Sequence, residues 1–234
     1  MRVILPTYYS IRWIVPIYER LHSEYWGVPV TLIAESDYSN GLFEFVSVPK
    51  GIQPHGEVYS ANFSDVLIWY LYQIEDEHVI IMLADYLLRS KVDTDKMDKL
   101  EAYMQNHPNV LRGQVGAGGM DAEKLVETWN GLNIWEGNFL PTSLTPGLWN
   151  RKLLIDMMKP GLTSWGVETS GQDRFLQMPW RSIAVSRGIS NDDGIMAYTN
   201  AQRGKDMMNV LMTDEQKTKV GHMVPDGITI SVVQ

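Results

Sequence analysis

The sequence contains no cysteine and no long hydrophobic run. Without cysteine the chain can form no disulfide, no Cys-ligated zinc site and no thiol nucleophile. The longest nearly apolar run, residues 79–84, is far shorter than the ~20 residues that a membrane-spanning helix needs. The N-terminus also lacks the basic-then-apolar pattern of a signal peptide. We therefore expect a soluble, cytoplasmic protein.

Several familiar catalytic patterns are missing as well. There is no Gly-x-Ser-x-Gly sequence, so hydrolase chemistry has little support. The five histidines are isolated, and no His-Glu-x-x-His pattern occurs. Residues 113–119 are rich in glycine but are not followed by Lys-Ser or Lys-Thr, which favours a flexible turn over a phosphate-binding loop.

The chain also has no excess of basic residues. It carries 20 Lys and Arg against 28 Asp and Glu, a formal net charge of −8, which argues against a broadly basic nucleic-acid-binding surface. The charge is uneven, because residues 1–111 carry 8 basic and 15 acidic side chains whereas residues 112–234 carry 12 and 13. Within the second part, residues 151–205 hold 8 basic and 5 acidic side chains. A nucleic-acid partner would therefore bind through one local patch.

The hydrophobic pattern predicts strands that alternate with helices. Strands are predicted at residues 2–5, 28–34, 43–48 and 79–83, and helices at residues 11–25, 65–74, 94–106 and 149–158. A strand, a helix and a second strand within about 35 residues are typical of the βαβ unit of a parallel sheet. We predict an α/β fold in a single domain that covers residues 1–234.

Candidate ligand-binding side chains follow three of the predicted strands. They are Thr7, Tyr8, Tyr9 and Ser10 after the first strand, Glu35 and Asp37 after the second, and Asp85 and Tyr86 after the third. In open α/β sheets, ligands bind outside the carboxyl ends of the strands. Tyr8 suits stacking on a base, Glu35 or Asp37 suits hydrogen bonds to a base or ribose, and Asp85 suits a divalent ion on a diphosphate.

The order of elements around Asp85 resembles that of a known enzyme family. An apolar helix, the acidic turn at residues 75–77, a buried strand and an acid at its end make residues 65–88 similar to the centre of GT-A-type glycosyltransferases. Residues 143–154 and 159–168 resemble the acceptor-side segment of such enzymes. Residues 198–205 resemble the closing segment of bacterial and phage members. The resemblance implies a GT-A-like, Rossmann-type, mostly parallel sheet flanked by helices.

The resemblance also implies that the donor and the acceptor bind to different halves of the chain. Residues 1–111 would form the donor-nucleotide half, and residues 112–234 the acceptor half with the C-terminal tail. Glu168 is expected to be the catalytic base, with Asp173 as its reserve. The donor would be bound by Thr7, Tyr8, Tyr9, Ser10, Glu35, Asp37, Asp85 and Tyr86. The acceptor would be bound by Trp149, Arg151, Lys152 and Trp165, although Trp149 fits the core equally well.

The chain departs from the family at its acidic motif. It has Ala84-Asp85-Tyr86, so the first acid of a two-carboxylate pattern is missing. A single carboxylate can still hold Mn²⁺ or Mg²⁺ together with phosphate oxygens and waters, although a metal-independent or weakly metal-dependent enzyme fits as well. His222 is the candidate in the tail that would complete a metal shell with Asp85.

The activity that the resemblance implies is transfer of a hexose from a nucleotide sugar, of the UDP-glucose type, to an acceptor hydroxyl. A 5-hydroxymethylated pyrimidine in phage duplex DNA is the favoured acceptor, because the basic residues 151–205 lie in the acceptor half. A bacterial surface glycan or a small molecule is the alternative acceptor. The reduced acidic motif also leaves open a nucleotide-sugar-binding protein without transfer activity. An α/β interaction module that binds no sugar nucleotide is a third class.

Overall fold

The computed structural model describes residues 1–7, 9–52, 63–116, 124–136, 141–186, 194–203 and 208–233. The strands are β1 (Arg2–Pro6), β2 (Val30–Ala34), β3 (Glu44–Ser47), β4 (His78–Ile81), β5 (Tyr86–Leu88), β6 (Val110–Gln114), β7 (Lys124–Trp129), β8 (Leu132–Glu136), β9 (Gly147–Asn150), β10 (Arg181–Ala184), β11 (Tyr198–Arg203), β12 (Met208–Met212) and β13 (Thr229–Val232). The helices are α1 (Val15–Tyr25), α2 (Phe63–Leu71), α3 (Thr94–Asn106), α4 (Arg151–Met157), α5 (Ser164–Gln177) and α6 (Asp214–Val220). Two 3₁₀-helices span Tyr9–Ile14 and Gly221–Met223.

The central sheet has nine strands in the order β3-β2-β1-β4-β9-β6-β10-β8-β7. Strands β3, β2, β1 and β4 pair in parallel, and β9 lies antiparallel between β4 and β6. Among the described strands of this sheet, β8 and β9 run against the direction of the rest. The mostly parallel α/β architecture predicted from the sequence is confirmed.

The inner strands of the parallel part are mostly apolar, apart from Arg2, Thr31 and His78. Every residue of β2 and β4 is buried, and so are the last four residues of β1. Strands that are covered on both faces carry continuous aliphatic runs rather than an alternating pattern. Strand β3 lies at the edge of the sheet and is partly exposed along its length. Edge strands usually carry charged residues, as β3 does with Glu44.

A second, four-stranded sheet in the order β13-β12-β11-β5 holds the segment that follows Asp85. Strand β5 pairs antiparallel with β11, so that Tyr86 lies opposite Asn200. The buried Gln216 of α6 supports β5 from the other side, because its Nε2 donates to the carbonyls of Leu87 (3.3 Å) and Leu88 (2.8 Å). Strand β5 is therefore fixed at both of its sides.

A buried carboxylate in α1 fixes the loop that follows Glu35. Glu19 is fully buried and accepts hydrogen bonds from the backbone N–H groups of Leu42 (2.8 Å) and Phe43 (3.1 Å) at Oε1. Its Oε2 accepts from the N–H of Asn40 (2.6 Å). Three backbone donors compensate the desolvation of this carboxylate and tie the loop to the helix.

Two predictions of local structure were wrong. The helix predicted at residues 149–158 begins at Arg151, and Trp149 belongs to β9. The Asn150 side chain caps the helix by accepting from the N–H of Leu153 (3.1 Å).

The sequence predicts a turn at Gly113, but this residue lies inside β6 between β9 and β10. There its small size is needed, because a Cβ atom would lie 2.9 Å from the side chain of Leu100. Packing on α3 explains this glycine better than turn geometry.

None of the helices within the described ranges combines the length and the apolar character needed to span a bilayer. The buried residues of the sheet and of the helices on both of its faces form one large hydrophobic cluster.

The buried histidine of α1 should make the fold sensitive to acid. His22 is 1% exposed, and burial lowers its pKa from 6.5 to about 4. Between these pH values the unfolded chain binds a proton that the folded chain does not bind, so stability falls as the pH decreases from 6.5 to 4. The loss reaches about 3 kcal/mol and is absent above pH 6.5. Chemical denaturation of the wild type and His22→Phe at several pH values should show a smaller loss in the variant.

Substitution of the exposed His222 by Gln is the control, and it should leave the acid sensitivity unchanged. The buried His78, whose pKa is also lowered by burial, should keep part of the sensitivity in His22→Phe. The same pH dependence in His22→Phe and in the wild type would contradict the assignment.

Candidate functional site

Side chains from three neighbouring strands meet at one edge of the central sheet. Strands β2, β1 and β4 lie side by side and parallel, so their carboxyl ends are adjacent. Thr7 follows β1 and Glu35 follows β2, while Asp85 lies four residues beyond the end of β4. Thr7, Glu35 and Asp85, which are predicted to bind the sugar-nucleotide donor, therefore follow strand ends at one edge of the sheet.

Thr7 and Glu35 each place a buried polar atom at this edge. The Thr7 side chain is 3% exposed, and its backbone N–H donates to the carbonyl of Ile33 in the neighbouring strand (3.0 Å). Within the described part of the chain, neither Thr7 Oγ1 nor Glu35 Oε1 has a hydrogen-bond partner, although both atoms are buried. A buried polar atom without a partner is costly, and a ligand or water usually satisfies it. The two atoms therefore mark a polar subsite.

The remaining donor residues have other surroundings. Asp37 is exposed, and its Oδ1 accepts from the backbone N–H of Ser39 (2.9 Å), which is the geometry of a local turn. Tyr9 and Ser10 form the first turn of the 3₁₀-helix after β1. Tyr8 lies outside the described residues. Their roles in donor binding remain predictions.

The Glu168 carboxylate is held by the turn that precedes β9. Its Oε1 accepts hydrogen bonds from the backbone N–H of Leu144 (2.5 Å) and from Ser143 Oγ (3.2 Å). Thr142 Oγ1 donates to the backbone carbonyl of Glu168 (2.6 Å). Among the described residues, the hydrogen bonds to this carboxylate fall on Oε1 and leave Oε2 without a donor. The carboxylate is thus fixed in position while one oxygen is available.

The topology places this turn at the same edge as Thr7 and Glu35. Strand β9 begins at Gly147, which pairs with Ile81, the last residue of β4, and with Gln114, the last residue of β6. Because β9 runs against its neighbours, the residues just before it lie at the carboxyl ends of β4 and β6. Glu168 therefore joins the edge at which the donor residues meet.

Tyr86 interacts electrostatically with Asp85 and Glu168 and packs against a second tyrosine. The rings of Tyr86 and Tyr198 pack edge to face, with centroids 4.9 Å apart. Burial raises the pKa of Tyr198 to about 12 and also raises the pKa of Tyr86, so both hydroxyls keep their protons at neutral pH. Asp85 and Glu168 add to the rise at Tyr86 through their negative charges, whereas the positive charge of Arg112 opposes it.

Arg112 is a functional candidate that sequence reasoning missed. It is fully buried in β6, and no salt bridge joins it to any carboxylate of the described residues. Its Nη2 donates to the backbone carbonyl (2.9 Å) and to Oγ1 (2.5 Å) of Thr145, and its Cζ lies 5.3 Å from the ring centre of Trp149. Burial lowers the pKa of Arg112 to about 10, partly offset by Tyr198 and Glu168, so the guanidinium is charged at neutral pH.

The sequence did contain a signal for this residue. Arg112 stands between Val110-Leu111 and Gly113, inside a run whose other members suit a buried strand. A charged side chain inside a fully buried strand is rare unless it is paired or functional. The glycines that follow Arg112 in the sequence predicted a turn instead.

Three of the predicted acceptor residues do not lie at this edge. Trp149 is 0% exposed in the middle of the sheet, so of its two predicted roles the structure gives it the core. Arg151 donates to the backbone carbonyls of Asp76 (2.7 Å) and Leu71 (3.0 Å), which precede β4. Because β9 is antiparallel to β4, Arg151 and Lys152 emerge at the amino ends of the parallel strands. Binding of an acceptor by Arg151 and Lys152 stays a prediction.

Trp165 and Asp173 lie with Glu168 on α5. Trp165 is 63% exposed and precedes Glu168 by three residues, a spacing that puts both on one side of a helix. An exposed indole beside the carboxylate suits a platform for a sugar ring. Asp173 is exposed and makes no hydrogen bond within the described ranges, so nothing orients it as the turn orients Glu168.

The residues at the edge do not form a complete metal site of protein ligands. Within the described ranges, no group of three or more His, Asp and Glu side chains could hold an ion. Ala84, where the family pattern has an acid, is fully buried. His222 lines a groove of about 350 Å³ with Arg20, Asn40, Leu42, Lys219 and Met223. Arg20 and Lys219 line the same groove, and the pairing of His222 with Asp85 stays a prediction.

Comparison with solved structures identifies the fold. The chain superimposes on the Staphylococcus aureus TarS fragment 1–349 in complex with UDP-GlcNAc with a TM-score of 0.50 and 13% identity, over 88% of this chain and 60% of that one. It thus spans less than two thirds of the TarS fragment. This likeness shows that the fold is GT-A-like, as the resemblance implied. No family model and no curated protein matches the sequence.

More distant matches include two enzymes with bound nucleotides. Glucosyl-3-phosphoglycerate synthase from Mycobacterium tuberculosis, in complex with Mn²⁺, UDP and phosphoglyceric acid, has a TM-score of 0.42 and 16% identity, over 78% of this chain and 66% of that one. The mannosyltransferase PcManGT from Pyrobaculum calidifontis, in complex with GDP-Man and Mn²⁺, has a TM-score of 0.41 and 15% identity, over 78% and 53%.

Gly147 should be intolerant of a side chain, because Arg112 occupies the space above it. A Cβ atom at Gly147 would lie 2.7 Å from Arg112 Nε. The substitution Gly147→Ala should lower the free energy of unfolding by about 1–3 kcal/mol, since a fully buried guanidinium cannot move away freely. Denaturant unfolding measures this loss.

Gly51→Ala is the matched control, because nothing lies within 4 Å of a Cβ atom there. It should be neutral or slightly stabilising. Equal stability of the two variants would show that Arg112 is not fixed above Gly147.

Proposed function

We propose that this chain is a glycosyltransferase that transfers a hexose from a nucleoside diphosphate sugar, of the UDP-sugar type, to an acceptor hydroxyl. The observation that carries the proposal is the position of the Glu168 carboxylate. It is fixed by Leu144 and Ser143 at the sheet edge where Thr7 and Glu35 present buried, unsatisfied polar atoms. An oriented carboxylate beside a polar ligand subsite is what transfer to a hydroxyl requires.

Thr7 and Glu35 are proposed to bind the nucleoside. A threonine hydroxyl can donate or accept a hydrogen bond, and a carboxylate oxygen accepts one from an imide N–H or a ribose hydroxyl. Both atoms are already desolvated in the fold, so the ligand satisfies them without further dehydration. The diphosphate would then extend along the edge toward Asp85 and Tyr86.

The proposed reaction forms one bond and breaks one. The acceptor oxygen forms a bond to the anomeric carbon, and the bond from that carbon to the diphosphate oxygen breaks. The bonding pair leaves with the nucleoside diphosphate, and the acceptor proton passes to Glu168. Of the two carboxylate oxygens, Oε2 is the one that no described donor occupies, so it is the oxygen proposed to take the proton. Attack opposite the leaving group inverts the anomeric configuration.

A divalent ion is proposed to assist only together with the donor. Asp85 supplies one carboxylate near Tyr86, and the described residues offer no further cluster of ligands. Mn²⁺ or Mg²⁺ would therefore depend on phosphate oxygens and water for most of its shell. When bound, such an ion would neutralise charge on the leaving diphosphate.

Two of the basic residues in 151–205 are held away from the Glu168 carboxylate by other partners. Arg151 is bound at the opposite edge, and Arg181 is paired with Glu136. A hydroxymethylated pyrimidine in duplex DNA remains a proposed acceptor, and a surface glycan or a small molecule competes with it. The exposed Trp165 beside Glu168 suits any acceptor with a flat face.

The proposed nucleoside subsite predicts binding of UDP. UDP should raise the melting temperature of the wild type, because a ligand of the folded state stabilises it by mass action. Glu35→Gln should weaken UDP binding about 10-fold to 100-fold, since it removes a hydrogen bond to a charged group. Calorimetric titration measures the change.

Glu75→Gln is the matched control, because Glu75 is exposed and precedes β4 at the opposite edge. It should bind UDP like the wild type. Absence of any stabilisation by UDP, with Mn²⁺ or without it, would indicate an interaction module instead.

The proposed base predicts a large effect of one carboxylate on turnover. With UDP-glucose or UDP-GlcNAc as donor, Glu168→Gln should lower the rate of transfer about 10²-fold to 10⁴-fold while UDP still binds. The assay offers duplex DNA with 5-hydroxymethylcytosine, unmodified DNA, a glycan mixture and water as acceptors, and release of UDP is measured.

Asp173→Asn should keep the wild-type rate, because its side chain is exposed and unoriented. Loss of turnover in Asp173→Asn, with Glu168→Gln active, would make Asp173 the base. Binding of UDP without turnover on any acceptor would support a nucleotide-sugar-binding protein without transfer activity. With a donor that carries a labelled sugar, label on modified DNA alone would establish the DNA acceptor, and label on neither DNA would exclude it for that donor.

A further inference from the structure

We propose that Arg112 is a positioning residue that holds the Glu168 carboxylate through the turn at residues 143–145. The proposal rests on the proposed function, in which Glu168 is the base. It extends that function to a residue that contacts neither donor nor acceptor, because Arg112 is 0% exposed.

A series of hydrogen bonds joins the two residues. Arg112 Nη2 donates to Thr145 Oγ1 (2.5 Å) and to the Thr145 carbonyl (2.9 Å). The Thr145 N–H donates to Ser143 Oγ (3.3 Å), and Ser143 Oγ donates to Glu168 Oε1 (3.2 Å). The N–H of Leu144, between these two residues, donates to the same carboxylate oxygen (2.5 Å). Ser143 Oγ also lies 3.4 Å from Thr145 Oγ1, a second acceptor for its single hydroxyl hydrogen.

The cost of burying Arg112 indicates that stability alone does not explain it. A guanidinium without an ion pair in a closed interior is unfavourable compared with an apolar side chain of similar volume. Its Nε has no hydrogen-bond partner among the described residues. What Arg112 gains is a pair of hydrogen bonds from Nη2 to two acceptors of one turn residue, which an apolar side chain cannot make.

Electrostatics favours the same pairing. The charges of Arg112 and Glu168 attract each other. Arg112 contacts the turn at Thr145, and the Glu168 carboxylate contacts it at Ser143 and Leu144. The turn is therefore held between two opposite charges, and its backbone N–H at Leu144 faces the carboxylate.

Hydrogen exchange at single amides tests this role without any substrate. Thr145→Val keeps the shape of the side chain and removes the Oγ1 acceptor, whereas Thr145→Ser keeps it. We expect the Leu144 amide to exchange about 10-fold faster in Thr145→Val and in Arg112→Met than in the wild type. The Gly166 amide of α5, which donates to Thr163 Oγ1, should keep its rate.

Two controls separate positioning from a general loss of structure. Thr145→Ser should restore the wild-type exchange at Leu144. Ser182→Ala removes a buried hydroxyl of β10 that lies opposite Arg112 and has no hydrogen-bond partner among the described residues, and it should change nothing. If Arg112→Met does not fold, the Thr145 pair decides the test. Unchanged exchange at Leu144 in Thr145→Val, or equal acceleration at Gly166, would overturn the proposal.

Turnover provides the second measurement. Loss of alignment at the base should lower kcat of Thr145→Val about 10-fold to 100-fold while KM for the donor changes little, and Thr145→Ser should recover kcat. If Glu168→Gln leaves turnover intact, Glu168 is not the base, and this part of the proposed function fails whatever the exchange data show. If Glu168→Gln is inactive but Thr145→Val keeps both kcat and Leu144 protection, the positioning role alone fails.

Discussion

The burial of the parallel strands on both faces is the constraint on which the site depends. Strands β1, β2 and β4 are mostly apolar and have almost no exposed surface, so a polar group can reach a ligand only where a strand ends. All three carboxyl ends lie side by side. The same packing that stabilises the sheet thus collects Thr7, Glu35 and the segment around Asp85 at one edge.

The antiparallel strand β9 determines which residues share this edge with Thr7, Glu35 and Asp85. Because β9 runs antiparallel between β4 and β6, the residues before it lie at the carboxyl edge and those after it lie at the amino edge. The turn at residues 143–145 therefore meets Glu168 at the site. Arg151, only a few residues later in sequence, is bound near Asp76 at the far side of the sheet. Arg112 lies between these two edges, with its guanidinium directed toward the turn.

The sequence predicted the parts of the fold that depend on local pattern. The aliphatic runs of β1, β2 and β4 and the amphipathic α3 are visible as periodicity, and the strand ends follow from them. The direction of β9 is not encoded locally, because a strand of four residues next to a helix cap looks like the beginning of that helix. The expectation that Trp149 and Arg151 bind the acceptor came from the resemblance of residues 143–154 to an acceptor-side segment, which does not reveal the direction of β9. The partners of Arg112 depend on residues 33 positions away, which no local pattern reveals.

The crystal structure of the chain with UDP tests the location of the site most directly. The uracil base of UDP is expected to contact Thr7 Oγ1 and Glu35 Oε1, and the diphosphate is expected to extend along the edge toward Asp85. Space for a sugar should remain between Trp165 and Glu168. A nucleotide bound in the groove lined by Arg20, Lys219 and His222, or at the amino edge beside Arg151, would contradict the assignment of the site and of Glu168 as its base.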